Sequence, residues 1–234
     1  MHFNGNGNGN GNGNGNGHSS WWRSWWKRPA PQAQDDLACY RRIALQLHYD
    51  LPRGVARRVV LLLSPTPSEN SADACFSLAA CLGDELQRPI LLVDAHGTKQ
   101  GAAQLPPGAT LKGFSDLLNN ANHPIADLVL PTGHPHVKFL SAGAGAFGAH
   151  AHCPEQLQRI LDGLASSFDF VVLSGGPVLS GSGGLALAPH AGFVLLMAQE
   201  NQTKVTDLDA AQHALNFCNA RRVGLVLASG EVNE

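Results

Sequence analysis

Val59-Val60-Leu61-Leu62-Leu63-Ser64-Pro65-Thr66-Pro67-Ser68-Glu69-Asn70-Ser71-Ala72-Asp73 is the stretch on which the fold turns. Its first five residues are a continuous, β-branch-rich apolar run. That pattern suits a strand covered on both faces, because a half-exposed strand would alternate apolar with polar residues. A polar, proline-punctuated segment follows, Ser64–Asp73, which must leave the sheet. Ala72–Leu86 then repeats its apolar residues at helical spacing. A buried strand that runs through a short loop into an amphipathic helix is the first half of a βαβ unit.

The same alternation continues in both directions. Before the first strand, Asp36–His48 places Leu37, Tyr40, Ile43, Ala44 and Leu47 on one helical stripe. After it, strands are predicted at Pro89–Val93, Val137–Leu140, Phe170–Leu173, Gly192–Ala198 and Val223–Leu227. Helices are predicted at Phe114–Asn119, Pro154–Ala165, Leu185–Pro189 and Val205–Cys218. In Pro154–Ala165, Leu157, Ile160, Leu161 and Leu164 share a face. Strands alternating with helices imply right-handed crossovers, a mainly parallel central sheet and a three-layer αβα sandwich.

Composition narrows the partners. The chain has 234 residues, a net charge of −2 and 44% apolar residues, enough for one domain with a substantial core. Only 15% of residues are charged, and the near-neutral balance gives no electrostatic case for nucleic acid. The five cysteines are scattered and odd in number, which points to reduced thiols in the cytoplasm. Cys75 and Cys81 fall in an apolar helix and read as small core residues. No apolar run approaches the ~20 residues that span a bilayer.

The amino-terminal region reads differently. Residues 1–19 hold an Asn-Gly repeat, Asn4–Gly17, whose composition predicts no packed structure. Residues 20–34 hold all four tryptophans, Trp21, Trp22, Trp25 and Trp26, interleaved with Arg23, Lys27 and Arg28. At helical spacing the four rings form one aromatic face. Aromatic rings beside cations suit a membrane surface or a membrane-protein partner, and packing back onto the chain's own domain is the alternative. Residues 35–234 form the globular domain.

In open parallel sheets, ligands bind at the carboxyl ends of the strands, often at the first strand–loop–helix junction. Here that is Ser64–Asp73. A working phosphate loop needs glycines for backbone wrapping, a lysine for the phosphates and a hydroxyl for Mg2+. The loop resembles that of the bacterial tyrosine kinases of capsule and exopolysaccharide systems, relatives of the MinD/ParA deviant-Walker ATPases. Their pattern is roughly Ser-Ala-x-Pro-Gly-Glu-Gly-Lys-Ser-Thr. Ser64, Pro67 and Glu69 match it. The glycines are replaced by Ser68 and Asn70, the lysine by Ser71, and the Ser-Thr pair by Ala72-Asp73. Asp73 would set a negative charge where phosphate belongs.

Two further motifs carry the resemblance. Leu91-Leu92-Val93-Asp94-Ala95-His96 keeps the first aspartate of Leu-Leu-Val-Asp-x-Asp and has His96 at the second. Phe168-Asp169-Phe170-Val171-Val172-Leu173-Ser174-Gly175-Gly176-Pro177 has Ser174 where the family carries its metal-linked aspartate, and keeps Pro177. Gly113–Leu118, Phe139–Gly143, Pro154–Leu157 and Val223–Leu227 match weaker family segments in order. Asp36–Leu47, with Tyr40-Arg41, is similar to the helix used for ring assembly, without a clear counterpart of its glutamate.

The resemblance implies a P-loop NTPase-like fold and a place in exopolysaccharide synthesis or export. The implied partner is an inner-membrane chain-length or co-polymerase protein, bound at the cytoplasmic face. Homo-oligomerisation would run through the Tyr40-Arg41 helix. The family's tyrosine cluster, its phosphoacceptor, has no counterpart, since the only tyrosines are Tyr40 and Tyr49. Together the losses favour a catalytically degenerate, non-enzymatic domain with no cofactor; ATP and Mg2+ enter only if the altered loop still binds them. A divergent active tyrosine kinase or ATPase and a MinD/ParA-like positioning protein are the alternatives.

Three smaller features were weighed. His134, His136, His150, His152 and Cys153 could in principle bind Zn2+, although nothing in the spacing fixes the two pairs against each other. Gly175, Gly176, Gly181, Gly183 and Gly184 lack a dinucleotide-binding frame, and Ser174 lacks the Gly-x-Ser-x-Gly frame of a hydrolase nucleophile.

Overall fold

The computed structural model describes residues 34–51, 58–67, 71–96, 112–119, 123–143 and 154–228. The Trp21–Arg28 segment, Ser68–Asn70, His150, His152 and Cys153 lie outside the described residues. Among the described residues, no helix is long and apolar enough to cross a membrane.

In chain order the elements are α1 (Gln34–Asp50), β1 (Val59–Ser64), α2 (Ser71–Leu86), β2 (Ile90–Asp94) and α3 (Phe114–Asn119). Next come β3 (Val129–Pro131), β4 (Val137–Leu140), α4 (Pro154–Ser167) and β5 (Phe170–Pro177). The last are α5 (Gly183–Leu187), β6 (Phe193–Gln199), α6 (Val205–Phe217) and β7 (Val223–Ala228). Short 3-10 turns occupy Ile125–Asp127 and Ala188–His190. The seven strands form one sheet in the order β3-β4-β2-β5-β1-β6-β7. All neighbours are parallel except β3 and β4.

The central strands are apolar because both faces are covered. Val59, Leu61 and Leu63 of β1 enter the core that contains residues of α3, α4 and α6, while Val60 and Leu62 enter the core shared with α1 and α2. Each such side chain, fully buried, contributes about 1.5–3 kcal/mol. In α4, the predicted face of Leu157, Ile160, Leu161 and Leu164 is the buried one. Helix α6 stops at Asn219, whose φ of 57° lets the Ala220 N–H return to the Leu215 carbonyl at 3.1 Å.

The structure adds one strand that periodicity does not reveal. Val129-Leu130-Pro131 is too short to show alternation and none of its residues is buried. It is held by antiparallel pairing with β4, at a sheet edge where the missing N–H of Pro131 is tolerated. β5 also runs four residues beyond its predicted end at Leu173, through Ser174-Gly175-Gly176-Pro177.

At the amino end of the sheet, Arg58 joins three elements. Its Nε donates to the Leu51 carbonyl at 2.8 Å, and its Nη1 donates to Asp169 Oδ2 at 2.7 Å. Its guanidinium carbon lies 4.8 Å from the centre of the Phe170 ring. The arginine and aspartate side chains are only 8% and 11% exposed, so solvent does little to screen the pair.

Candidate functional site

The site lies at the carboxyl ends of β1, β2 and β5, where the strand register brings sequence-distant residues together. Asp94 at the end of β2 sits opposite Ser174 in β5. The Ala95 N–H then donates to the Ser174 carbonyl at 2.9 Å, which continues the pairing one residue past the strand. On the other side of β5, the register with β1 slips between Leu62 and Ser64, so that Ser64 faces Pro177. The Val178 N–H donates to the Ser64 carbonyl at 2.8 Å and the Leu179 N–H to the Pro65 carbonyl at 3.0 Å. The exit from β1 is therefore fastened to the turn after β5.

Asp94 is held from its own strand, its Oδ1 accepting the His96 N–H at 3.0 Å. Burial pushes its carboxyl above the ordinary range, with the His96 N–H and ring opposing the rise. The raised value means that the folded chain holds this proton more tightly than the unfolded chain does. The associated stability is fully present below the ordinary carboxylate pKa of about 4, and is lost as pH rises through it towards the folded value. Asp94→Asn keeps an oxygen for the His96 N–H and removes the buried charge. It is expected to raise the melting temperature near about pH 7, by roughly 2–4 °C for each kcal/mol relieved, with the gain shrinking towards about pH 4. Thermal melts across that range check it; a lower melting temperature at neutral pH would count against a buried, uncompensated carboxylate.

Cys75, on the second turn of α2, lies behind Asp94. Its thiol is pushed up to about 12 by burial, a hydrogen bond with the Ser174 side chain opposes the shift, and the Asp94 charge adds to it. A thiol in that state is protonated and inert. Helical periodicity predicts only a core role for Cys75; its contact with Ser174 comes from the packing of α2 on β5. Ser64, 1% exposed, has a hydroxyl with no hydrogen-bond partner among the described residues.

The His96 ring lies over Gly176, which has a φ of +73°; a Cβ at Gly176 would overlap that ring. The ring thereby occupies the space that a side chain at this position of β5 would fill. Of the loop positions, Ser64 is buried, Pro67 is exposed, and Ala72 and Asp73 lie on the first turn of α2. Asp73 is exposed there, where a negative charge suits the positive end of the helix dipole. Ser71 opens α2, and Ser68, Glu69 and Asn70 fall outside the described residues.

The other sequence candidates do not converge on this site. His134 and His136 flank the start of β4. The His136 N–H donates to His134 Nδ1 at 3.3 Å, which leaves Nε2 to donate to Asp84 Oδ1 at 3.1 Å. With both ring nitrogens engaged, His134 has no lone pair for a metal. Among the described residues no group of three or more His, Cys, Asp or Glu is arranged to hold a metal ion. On α1, Arg41 lies 3.6 Å from Glu85 of α2, Tyr40 packs against the core and Tyr49 is 78% exposed.

No protein-family model matches the chain. Over 201 residues, 85% of its length, the chain is 21% identical to the tyrosine-protein kinase ptk of Acinetobacter johnsonii, and it spans 27% of that protein. Its structure is similar to the kinase domain of the Escherichia coli tyrosine kinase ETK, with a TM-score of 0.71 and 14% identity, covering 92% of this chain and 89% of that one. The MinD cell division protein of Aquifex aeolicus matches with a TM-score of 0.54 and 14% identity, covering 72% of this chain and 68% of that one. The relatives are thus bacterial tyrosine kinases, and the fold is the P-loop NTPase-like αβα sandwich that these kinases share with MinD.

Proposed function

We propose that this domain is a catalytically degenerate relative of the bacterial tyrosine kinases and acts as a non-enzymatic regulatory or scaffold component of exopolysaccharide synthesis and export. One observation carries the reading: the end of β5 offers the Ser174 hydroxyl, bonded to an inert thiol, where phosphoryl transfer needs a metal-linked carboxylate. Two facts support it. The sequence has Ser71 at the position of the phosphate-binding lysine. The remaining acid, Asp94, sits in surroundings that favour its neutral form and so weaken it as a metal-directed charge. In this reading the domain works by shape and occupancy. The segment Trp21–Arg28 docks it on an inner-membrane chain-length or co-polymerase protein, at the cytoplasmic face of the membrane.

The test has two arms on the full chain. Thermal melts and calorimetric titration with ATP·Mg2+ are expected to show no shift and no saturable heat. A true ligand at 100 times its Kd would add about 2.7 kcal/mol, a shift of several degrees. Saturable binding with turnover that disappears in Asp94→Ala, or labelled phosphate on Tyr49, would establish a divergent kinase instead. In the second arm, replacing Trp21, Trp22, Trp25 and Trp26 together with alanine is expected to release the protein from the membrane fraction. Unchanged fractionation would remove the docking role.

A further inference from the structure

Strand β7 ends the sheet, and no described strand pairs with its outer edge. The carbonyls of Arg222 and Ala228 accept from the Val194 and Glu200 N–H groups of the β6 side, at 2.8 and 2.9 Å. Because a strand alternates, Val223, Leu225 and Leu227 turn their N–H and C=O groups away from β6, towards the open edge. The side chains of the same residues share one face. Leu225 is 58% exposed and Leu227 63% exposed, whereas Val226 on the opposite face is 8% exposed and joins the core beneath α1. Phe217, which closes α6 on the Leu225 side of the sheet, is 89% exposed. Edge strands usually carry a lysine, a proline or a bulge that blocks pairing. Val223-Gly224-Leu225-Val226-Leu227-Ala228 carries no lysine or proline, and its register with β6 is unbroken.

We propose that this edge is a self-association surface, and that two copies of the chain pair β7 with β7 in antiparallel orientation about Leu225. The occupant is a second copy because the strand is self-complementary. A two-fold axis at Leu225 opposes Leu225 to Leu225 and Val223 to Leu227, so every outward-turned backbone group of one strand meets its counterpart on the other. The leucines of both copies then form one apolar patch. Charge agrees with that orientation. Arg221 and Arg222 precede the strand and are exposed. Antiparallel pairing keeps the two Arg221-Arg222 pairs at opposite ends of the ribbon, whereas parallel pairing would set them side by side. The surface is separate from the nucleotide end of β1, β2 and β5 and does not depend on what that site binds.

Sedimentation equilibrium of the full chain from about 1 to 100 μM tests the proposal. The native chain is expected to be a dimer that dissociates on dilution. Leu225→Lys/Leu227→Lys, changed at two exposed positions, is expected to weaken association at least about tenfold with an unchanged circular dichroism spectrum, because lysines then oppose each other across the pair. Leu225→Cys gives a second readout. Opposed residues in a hydrogen-bonded antiparallel pair lie about 5.5 Å apart, within disulfide reach, so oxidation is expected to link two copies. Leu179→Cys, exposed in the turn after β5, is expected to give no additional link. A monomer at the highest concentration, or a dimer indifferent to the double lysine change, overturns the proposal. Slow amide exchange at Leu225 and Leu227 in dilute monomer would also overturn it, by showing that the chain's own residues cover the edge.

Discussion

Replacing Arg58 with alanine is expected to lower stability by about 3–5 kcal/mol, as much as truncating a core phenylalanine. The cost comes less from the lost attraction than from what is left behind. Asp169 is 11% exposed and would keep its charge beside Phe170 with its 2.7 Å partner gone. The Leu51 carbonyl would also lose its 2.8 Å donor. For a chain of this length that corresponds to a fall in melting temperature of about 10 °C. Arg58→Met, which keeps an unbranched apolar stem but loses the guanidinium over the Phe170 ring, is expected to recover only the packing of that stem. Removing both charges together, Arg58→Met/Asp169→Leu, is expected to restore most of the loss, because a buried pair exchanged for apolar groups is often nearly neutral. If Arg58→Ala costs no more than the ~1 kcal/mol of an exposed ion pair, the enclosure of this pair is wrong. The pair lies at the amino end of the sheet, so these variants report on the fold without touching the carboxyl ends of β1, β2 and β5.

At the carboxyl end of the sheet, Gly176→Ala is expected to have a large effect. A side chain at φ +73° costs about 1–2 kcal/mol in the backbone alone. The added Cβ also overlaps the His96 ring, so the ring must leave its place or the strand end must shift. The two costs separate in a double-mutant cycle. In the native background Gly176→Ala carries both. In a His96→Ala background only the backbone cost remains, so the substitution is expected to be less damaging there. Equal losses in the two backgrounds would show that the ring does not occupy this position. The cycle uses ordinary thermal melts and needs no ligand.

Much of the fold is legible in the sequence because its signals are local. The apolar run Val59–Leu63 and the helical face of Leu157, Ile160, Leu161 and Leu164 each state their own conformation within a few residues. The location of the site is legible for the same reason, since a parallel sheet fixes which strand ends lie together. β3 is not legible: three partly exposed residues ending in proline carry no period, and only the exposed edge of β4 gives them a role. The surroundings of His134 are not legible either, because its ring pairs with Asp84 of α2 and accepts from the His136 N–H, contacts set by helix placement.

The sequence by itself determined the order of most strands and helices, the buried character of the sheet and the residue types at the first strand–loop–helix junction, because each depends on residue type and short spacing. Only the tertiary structure decided that Cys75 and Ser174 meet behind Asp94, that His96 lies over Gly176, that Arg58 closes on Asp169 and that β7 presents an open apolar edge. Those facts depend on strand register and helix placement, which join residues tens of positions apart. A shift of one residue in either would turn the same side chains to the other face of the sheet.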